Sequence, residues 1–544
     1  MKKIFQVVLV LIIGFVAVFI NLPVINYGFY GVPVLLLFLI IVWLLLNFRM
    51  PIDFNNPKPV FVKTGISKGY FIAIFIILFY IIVLPAVTSW PIFHSDKYRD
   101  LIGKVESGDE LSKHIPPISI EKIRVVDESL AKLLGDKVLG AQPALGSQIV
   151  LGTFNIQKVK DELFWVAPLL HSGFFKWQKN SEGTNGYVMV SATNERDVRL
   201  VQKVNGEDIR IKYQSEAYFL SNLERYLYFK GYCTVGLTDY SFEINDEGRP
   251  YWVVTKYEKS IGFNGDNATG VVVVDVKTGE IKEYAIKDAP LWIDRIQPNQ
   301  FVESQLNDWG QYVKGFWNFS NENKLQITEG VTLVYGENNK SYWYTGLTSV
   351  GADEATVGFV LVDTRTKQAV WYKQSGATEF AAQNSAIGKV QEKGYSSSLP
   401  IPYNINNIPT YVMTLKDKGG LVKMFAMVAI EDYTIVGVGN TLRETLMSFK
   451  NAYNMAGNKL NVKNQTQKVS LSSVITRINS DSKNGNSYYY FTLKDKNNIF
   501  IGSSQISSEL PITNIGDSVI ITFDNDVQEV IDISSFNNVN VGVR

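Results

Sequence analysis

Gly270–Ile281 reads GVVVVDVKTGEI. Val271–Val274 are β-branched, show no helical period and are bounded by turn-forming residues, so they read as a strand. Asp275 with Gly279 closes a tight turn, because aspartate bonds the backbone that follows it and glycine accepts positive φ. Ile281 then opens a return strand. Upstream, Tyr240–Ile244 (YSFEI) and Arg249–Thr255 (RPYWVVT) alternate on either side of the turn Asn245-Asp-Glu-Gly248. Two successive hairpins, and so an antiparallel sheet, are expected.

The same order recurs. Lys340–Thr345 (KSYWYT) and Pro409–Thr414 (PTYVMT) match Arg249–Thr255 without gaps across the central strand. Gly336-Glu-Asn-Asn339 and Asn404-Ile-Asn-Asn407 supply the preceding turns, and Val357–Val370 and Met424–Val436 the second hairpins. Val274-Asp-x-x-Thr278 returns as Val362-Asp-x-x-Thr366, with Lys367 in place of glycine; the third copy lacks the aspartate. A weaker fourth copy is Leu163-Phe-Trp-Val166 followed by Gly186–Thr193. Helices are expected between the sheets. Ala217–Lys230 carries Leu220, Leu223 and Leu227 on one face; Phe301–Phe316 carries Val302, Leu306, Trp309, Val313 and Phe316; Ala377–Lys393 carries Phe380, Ile387 and Val390. Gly231 and Gly394 stand just past two of them. Thr441-Leu-Arg-Glu444 is a capping box opening a last helix with Leu442, Leu446, Phe449 and Tyr453 inward. The unit is helix, hairpin, hairpin, repeated every roughly 70–90 residues, a period too long for a thin solenoid and suited to modules that pack on one another.

On these residues the chain resembles the PepSY family. Asp275, Lys277, Thr278, Gly279 and Glu280 carry the likeness, Asp363 and Thr366 keep part of it, and it extends over Ile118–Tyr453. The motif closes a turn and contains no chemistry of its own. The resemblance implies modules outside the cytoplasmic membrane, associated with envelope proteins and with inhibiting or regulating peptidases, and hence a binding role.

From Val469 the texture changes. Val474–Ile478, Ser487–Lys494, Ile499–Ile501, Gly516–Phe523 and Val530–Ile533 are five short strands after the polar linker Asn458–Lys468, with a helical turn expected near Ser504–Glu509. This arrangement resembles an OB-fold barrel. The resemblance implies single-strand nucleic-acid binding through Tyr488, Tyr489 and Tyr490. Acids outnumber bases from Val469 to Arg544, and alternate tyrosines in a strand turn inward, so a protein-binding or capping barrel is expected instead.

At the other end are three apolar runs, Ile4–Ile20, Phe29–Leu46 and Tyr70–Val87, each just long enough to cross a hydrocarbon core of about 30 Å. No small-x-small cleavage pattern follows Ile20, so the first is read as an anchor and not a signal peptide. Lys2 and Lys3 place the N-terminus in the cytoplasm. Asn21–Tyr30 is uncharged, and Asn47–Gly69 carries Arg49, Lys58, Lys63 and Lys68, which makes it the cytoplasmic loop. A multi-pass cell-membrane protein results, with everything from about residue 90 outside. The balance of 53 Lys+Arg against 52 Asp+Glu hides this split: residues 1–90 hold six bases and only Asp53, leaving 47 bases against 51 acids beyond. A single cysteine, Cys233, excludes an internal disulfide framework and suits a bacterial envelope, in a bacterium or a phage-encoded setting.

The fold class is therefore α+β and multidomain: three transmembrane helices, PepSY-like units and a small OB-like barrel. Expected boundaries are 1–90, 91–210, 211–300, 301–376, 377–460 and 465–544. His94, His114 and His171 show no paired spacing, and HExxH, Gly-x-Ser-x-Gly and phosphate-loop patterns are absent. His171 reads as exposed or locally satisfied, and Cys233 as a small buried hydrophobe. Asp246-Glu247-Gly248 and Asn264-Gly-Asp-Asn267 read as solvated turns rather than Ca²⁺ loops. Trp165, Trp177, Trp252, Trp343 and Trp371 read as core rather than a glycan platform. No catalytic, cofactor or metal residue is assigned. The expected function is a non-enzymatic extracytoplasmic scaffold or regulatory binding protein. Its partners are the lipid bilayer and an envelope protein or cell-wall component, not nucleic acid. The alternatives are an envelope hydrolase or transferase with a site between modules, and a subunit of an export or conjugation apparatus.

Overall fold

The computed structural model describes residues 2–47, 68–108, 114–142, 146–328, 330–336, 340–351, 355–456, 468–483, 486–504, 506–524 and 530–541. The linker Asn458–Lys468 and the loop bearing Arg49, Lys58 and Lys63 fall almost wholly outside them. The chain forms two compact units, Met1–Gly108 with Val126–Lys373, and Asp109–Val125 with Gln374–Arg544.

The sequence repeat is a structural repeat. Each copy is a four-stranded antiparallel meander. The first is Asn155–Val159, Glu162–His171, Tyr187–Ser191 and Val198–Val201; the second is Gly236–Ile244, Pro250–Ile261, Asn264–Asp275 and Ile281–Ala285. The third is Thr332–Tyr335, Ser341–Ser349, Gly358–Asp363 and Ala369–Tyr372, with Val105–Gly108 added in parallel to its last strand. The fourth, in the second unit, is Ile401–Ile405, Ile408–Lys416, Val422–Ala429 and Val436–Gly439. Asparagine serves the tight turns as expected: Asn406 and Asn407 both take positive φ (53° and 64°), as do Lys160 and Asp161 in the weak first copy.

The valine run is covered on both faces. Val272 and Val274 share a core with Phe164, Val166 and Tyr187 of the first sheet, while Val271 and Val273 pack on Ile293 and Ile296. The opposite face of the first sheet, through Ile156 and Trp165, meets Trp343, Val360 and Val362 of the third. The copy weakest in sequence is thus the middle layer of the first unit. Each fully buried valine contributes about 1.5–3 kcal/mol, which makes this stacking the main source of cohesion.

The helices are shorter than their apolar periods. Leu223–Phe229 replaces Ala217–Lys230: Phe219 takes φ 51°, and the Asn222 side chain caps the helix by accepting from Arg225 N, so Leu220 is exposed rather than inward. Asn299–Gln311 buries Val302 and Leu306 but ends before Val313 and Phe316. Glu379–Gly388 buries Ala381, Ala382 and Ala386 and leaves Phe380 exposed. Leu442–Ala456 forms as expected, with Thr441 Oγ1 accepting from Glu444 N and Leu446 and Phe449 buried. Asn264–Asn267 is no solvated turn; it is the start of a strand paired with Glu258–Ile261, and Gly262-Phe263 makes the turn.

In the second unit, Lys468–Lys483, Asn486–Leu493, Ile499–Ser503, Ser518–Asp524 and Val530–Asn538 close a barrel. Counted along the chain, its strand order is 1-2-3-5-4, with the third and fifth parallel. A single turn of 3₁₀ helix, Leu510–Ile512, lies between the third and fourth strands. Phe491, Phe500, Phe523 and Phe536 fill its interior.

Among the described residues two helices, not the expected three, are long and apolar enough to cross a membrane: Lys3–Asn21 and Lys68–Thr88. A third apolar helix has 17 described residues, Gly31–Asn47, and the chain before it contacts the second module through Ile25 N to Cys233 O and Asn26 Nδ2 to Thr234 O. At 1.5 Å per residue the helix spans about 25 Å.

Candidate functional site

The signature turn stands at one end of the second sheet and borders a cleft of about 360 Å³. Asp275 Oδ1 accepts from Lys277 N (3.0 Å) and Thr278 N (2.8 Å), while Oδ2 accepts from Arg249 Nε (3.1 Å) and Nη2 (2.6 Å). The Asp275 side chain is 5% exposed and that of Arg249 is 54% exposed. Burial pushes the Asp275 pKa up, but the hydrogen bonds from Thr278 and Arg249 outweigh it and hold the carboxyl below its ordinary value. This carboxylate is committed to the turn. The rest of the cleft is polar and of mixed sign, with Arg210, Lys277 and Tyr251 facing Glu207, Asp208 and Glu247. Such a surface can grip a polar extended segment through hydrogen bonds and ion pairs.

The other copies of the turn keep the geometry and vary the chemistry. Asp363 Oδ1 accepts from Arg365 N (2.9 Å) and Thr366 N (2.8 Å), and Lys367 N donates to Asp363 O as Gly279 N donates to Asp275 O. In the first sheet Ser191 Oγ accepts from Thr193 N, and in the fourth Ala429 occupies the position with no side-chain bond to give.

A second polar cluster lies inside the first unit, in the connector Ala289–Gln297. Asp294 Oδ2 accepts from Lys158 N (2.7 Å) and Tyr335 OH (3.2 Å), and the Asp294 carbonyl accepts from Ser341 Oγ and Thr364 Oγ1. Arg295 donates to Asn155 Oδ1 and Ser241 Oγ; Arg365 donates to the carbonyls of Ala289, Pro290 and Ile293. Burial pushes Asp294 up to about 6 and Glu243 up to about 8. Glu243 is 1% exposed and its Oε2 has no partner. These groups tie the three sheets together and are closed to substrate. Sequence reasoning missed them; the one available signal was Asp294-Arg295 inside the apolar run Leu291–Ile296.

The residues singled out in the sequence do not converge. His171 is buried, contrary to expectation, with Nε2 unpartnered and its pKa lowered by burial. It ends a strand whose pairing with Ile149 turns its ring into the fold. His94 and His114 lie on separate elements. Cys233 is half-buried rather than buried, in a 3₁₀ turn after Gly231, and its carbonyl accepts from Ile25 N. Asp246-Glu247-Gly248 is the expected turn. Trp252 and Trp343 are core and Trp165 and Trp371 pack against it, but Trp177 joins a surface aromatic group. Among the described residues no group of three His, Cys, Asp or Glu side chains is placed to hold a metal ion.

Fold and cleft together define a mixed α+β protein with apolar helices long enough to be membrane anchors and a closed five-stranded barrel. No protein-family model matches the chain, and no curated protein matches it.

Proposed function

We propose that the chain is a non-enzymatic, membrane-anchored scaffold or regulatory binding protein of a bacterial envelope, holding a polar segment of an envelope partner at the cleft beside Asp275. The observation that carries this reading is that one module holds both features: the second sheet and its short helix receive the apolar helix ends, and its Asp275 turn borders the cleft. At the Gly262-Phe263 turn, Phe263 N donates to Ser89 Oγ, just past the helix Lys68–Thr88, and the Phe263 ring stacks on Tyr30, just before Gly31–Asn47. Beside it, Ile25 N donates to Cys233 O and Tyr228 OH to Pro23 O, beyond the end of the first helix. Three helix ends gathered on one module support three passes with Lys2 and Lys3 cytoplasmic, the 17-residue helix crossing where the bilayer thins. The cleft lies at the Asp275 end of the same strands, away from the Gly262-Phe263 turn and close to the short helix Leu223–Phe229, whose Tyr226 OH donates to Gly279 O and whose Arg225 Nε donates to Phe19 O.

Two finer assignments belong to the same proposal. The modules are PepSY-like, supported by the shared backbone bonds of the Asp275 and Asp363 turns. The barrel is OB-like, supported by its 1-2-3-5-4 order, and acts on protein rather than nucleic acid, supported by its acidic balance. The test is photocrosslinking from Arg210 and Lys277 positions of the full chain in cells. An envelope protein or cell-wall component is expected from both positions, the crosslink from 210 weakened at least tenfold by Lys277→Glu and that from 277 by Arg210→Glu. Crosslinks only from other faces of the protein would remove the cleft from the reading.

A further inference from the structure

We infer that the first unit sits on the bilayer surface itself, through two aromatic patches that flank the helix ends and enter the headgroup region. The first patch gathers Phe174, Phe175, Trp177, Tyr218 and Phe219, with ring centroids 5.1–5.8 Å apart in successive pairs. Phe175 is 74% exposed, and Phe219 and Leu220 are exposed beside it. The patch is joined to the first apolar helix by one side chain: Arg225 Nε donates to Phe19 O (3.0 Å), its Nη1 donates to Phe219 O (3.2 Å), and its guanidinium lies 4.7 Å from the Phe19 ring centroid. Phe229 packs on the same ring at 6.0 Å. The second patch is carried by Pro91–Asp100, which continues from Lys68–Thr88, and by the chain after Asn299–Gln311. It exposes Trp90 and Phe93, 6.0 Å apart, and Trp317 and Phe319, 5.7 Å apart, and the two elements meet where Tyr98 lies against Tyr312 at 6.1 Å.

Exposed aromatic rings on a soluble face mark a contact surface, and rings with one polar end concentrate at membrane–water boundaries. Among the described residues of this unit beyond the apolar helices and their connector, every exposed aromatic side chain belongs to these two patches or is Phe229. The occupant is therefore lipid: the rings stand beside the points where the chain leaves the apolar helices, and Lys176 and Lys179 on the short helix Phe174–Lys179 suit anionic headgroups. Fixed at two places, the unit cannot pivot on its helices, and the cleft is held at a set height above the membrane.

This inference rests on the membrane-anchor reading, and its test separates the two. The full chain, with Cys233→Ser, is reconstituted in nanodiscs containing phosphatidylglycerol and carries an NBD probe at Phe175→Cys, Phe319→Cys, Leu11→Cys or Leu291→Cys. Leu291 is 77% exposed and sits beside Trp292, which packs on Tyr251 at the cleft end. Shallow nitroxide-labelled lipid should quench the probes at 175 and 319 several-fold more than at 291, with a blue-shifted emission. Quenching at Leu11 without quenching at 175 and 319 overturns the inference and leaves the anchor standing. No quenching at Leu11 by lipid carrying its nitroxide deep on the acyl chain removes the anchor and the inference together. Quenching at only one patch overturns the two-point seat, and a blue shift without nitroxide quenching assigns the patches to a protein partner instead.

Discussion

Lys367 occupies, at φ 66°, the position that Gly279 holds at φ 74° in the other copy of the turn. The two sites differ in what surrounds them. A Cβ on Gly279 would meet the Tyr213 ring at 2.6 Å and Tyr226 OH at 2.7 Å, whereas Lys367 reaches Leu101 O and Asn267 Oδ1 with its ammonium, both at 2.7 Å. Gly279→Lys should thus cost about 2–4 kcal/mol although its counterpart is native, read as a fall in urea midpoint. A second residue-scale prediction concerns Glu243. A carboxyl pushed up to about 8 adds its stability below its unfolded pKa and loses it as pH rises through 8. Glu243→Gln should therefore gain in melting temperature relative to wild type between pH 6 and pH 9; an unchanged difference would mean that the carboxyl is not titrating there. Asp275, held low, behaves oppositely: its contribution is complete at neutral pH and disappears only in acid. The Asp275 turn was legible in the sequence because all its bonds but those from Arg249 are local. The Asp294–Arg295 cluster was not, because its partners come from three sheets.

Strands were easier to read than helices, and for a physical reason. A strand in a meander pairs with its sequence neighbour, so alternation and turn residues place it locally. A helix end is set by capping and by the surface it meets. Leu220 continues the apolar period of Leu223 and Leu227, yet the helix starts after it because Asn222 caps at that point. Asn222→Ala should cost about 1 kcal/mol and increase amide exchange over Leu223–Phe229. The barrel offers a sharper test. Phe491 packs on Phe500 at 5.8 Å and on Phe536 at 5.6 Å, so Phe491→Ala should cost about 3–5 kcal/mol, seen as lost near-ultraviolet dichroism and lowered denaturant midpoint.

At the scale of the molecule, the sheet least marked in sequence is the one on which the first unit depends. Val166, fully buried, faces the second sheet while its neighbour Trp165 faces the third. Val166→Ala should reduce hydrogen-exchange protection in the second sheet by an amount close to the whole loss of stability, a spread that a set of independent beads would not give. Periodicity identified the faces of each strand but could not say which sheets lie against them, since nothing in a meander records its neighbours across the layer.

The segment Asp109–Val125 belongs to the second unit although residues on both sides of it belong to the first. Asn404 Nδ2 donates to Ile115 O across 289 residues, and Ile118 N donates to Asn404 O. On a ribosome adding roughly 5–20 residues per second, this stretch waits on the order of 15–60 s for its partner to be made. For that interval Ile118, Ile120 and Ile123 stand uncovered. Synthesis of this protein thus includes an exposed stage that a chaperone must tolerate or occupy, and a chain truncated before residue 404 would never leave it.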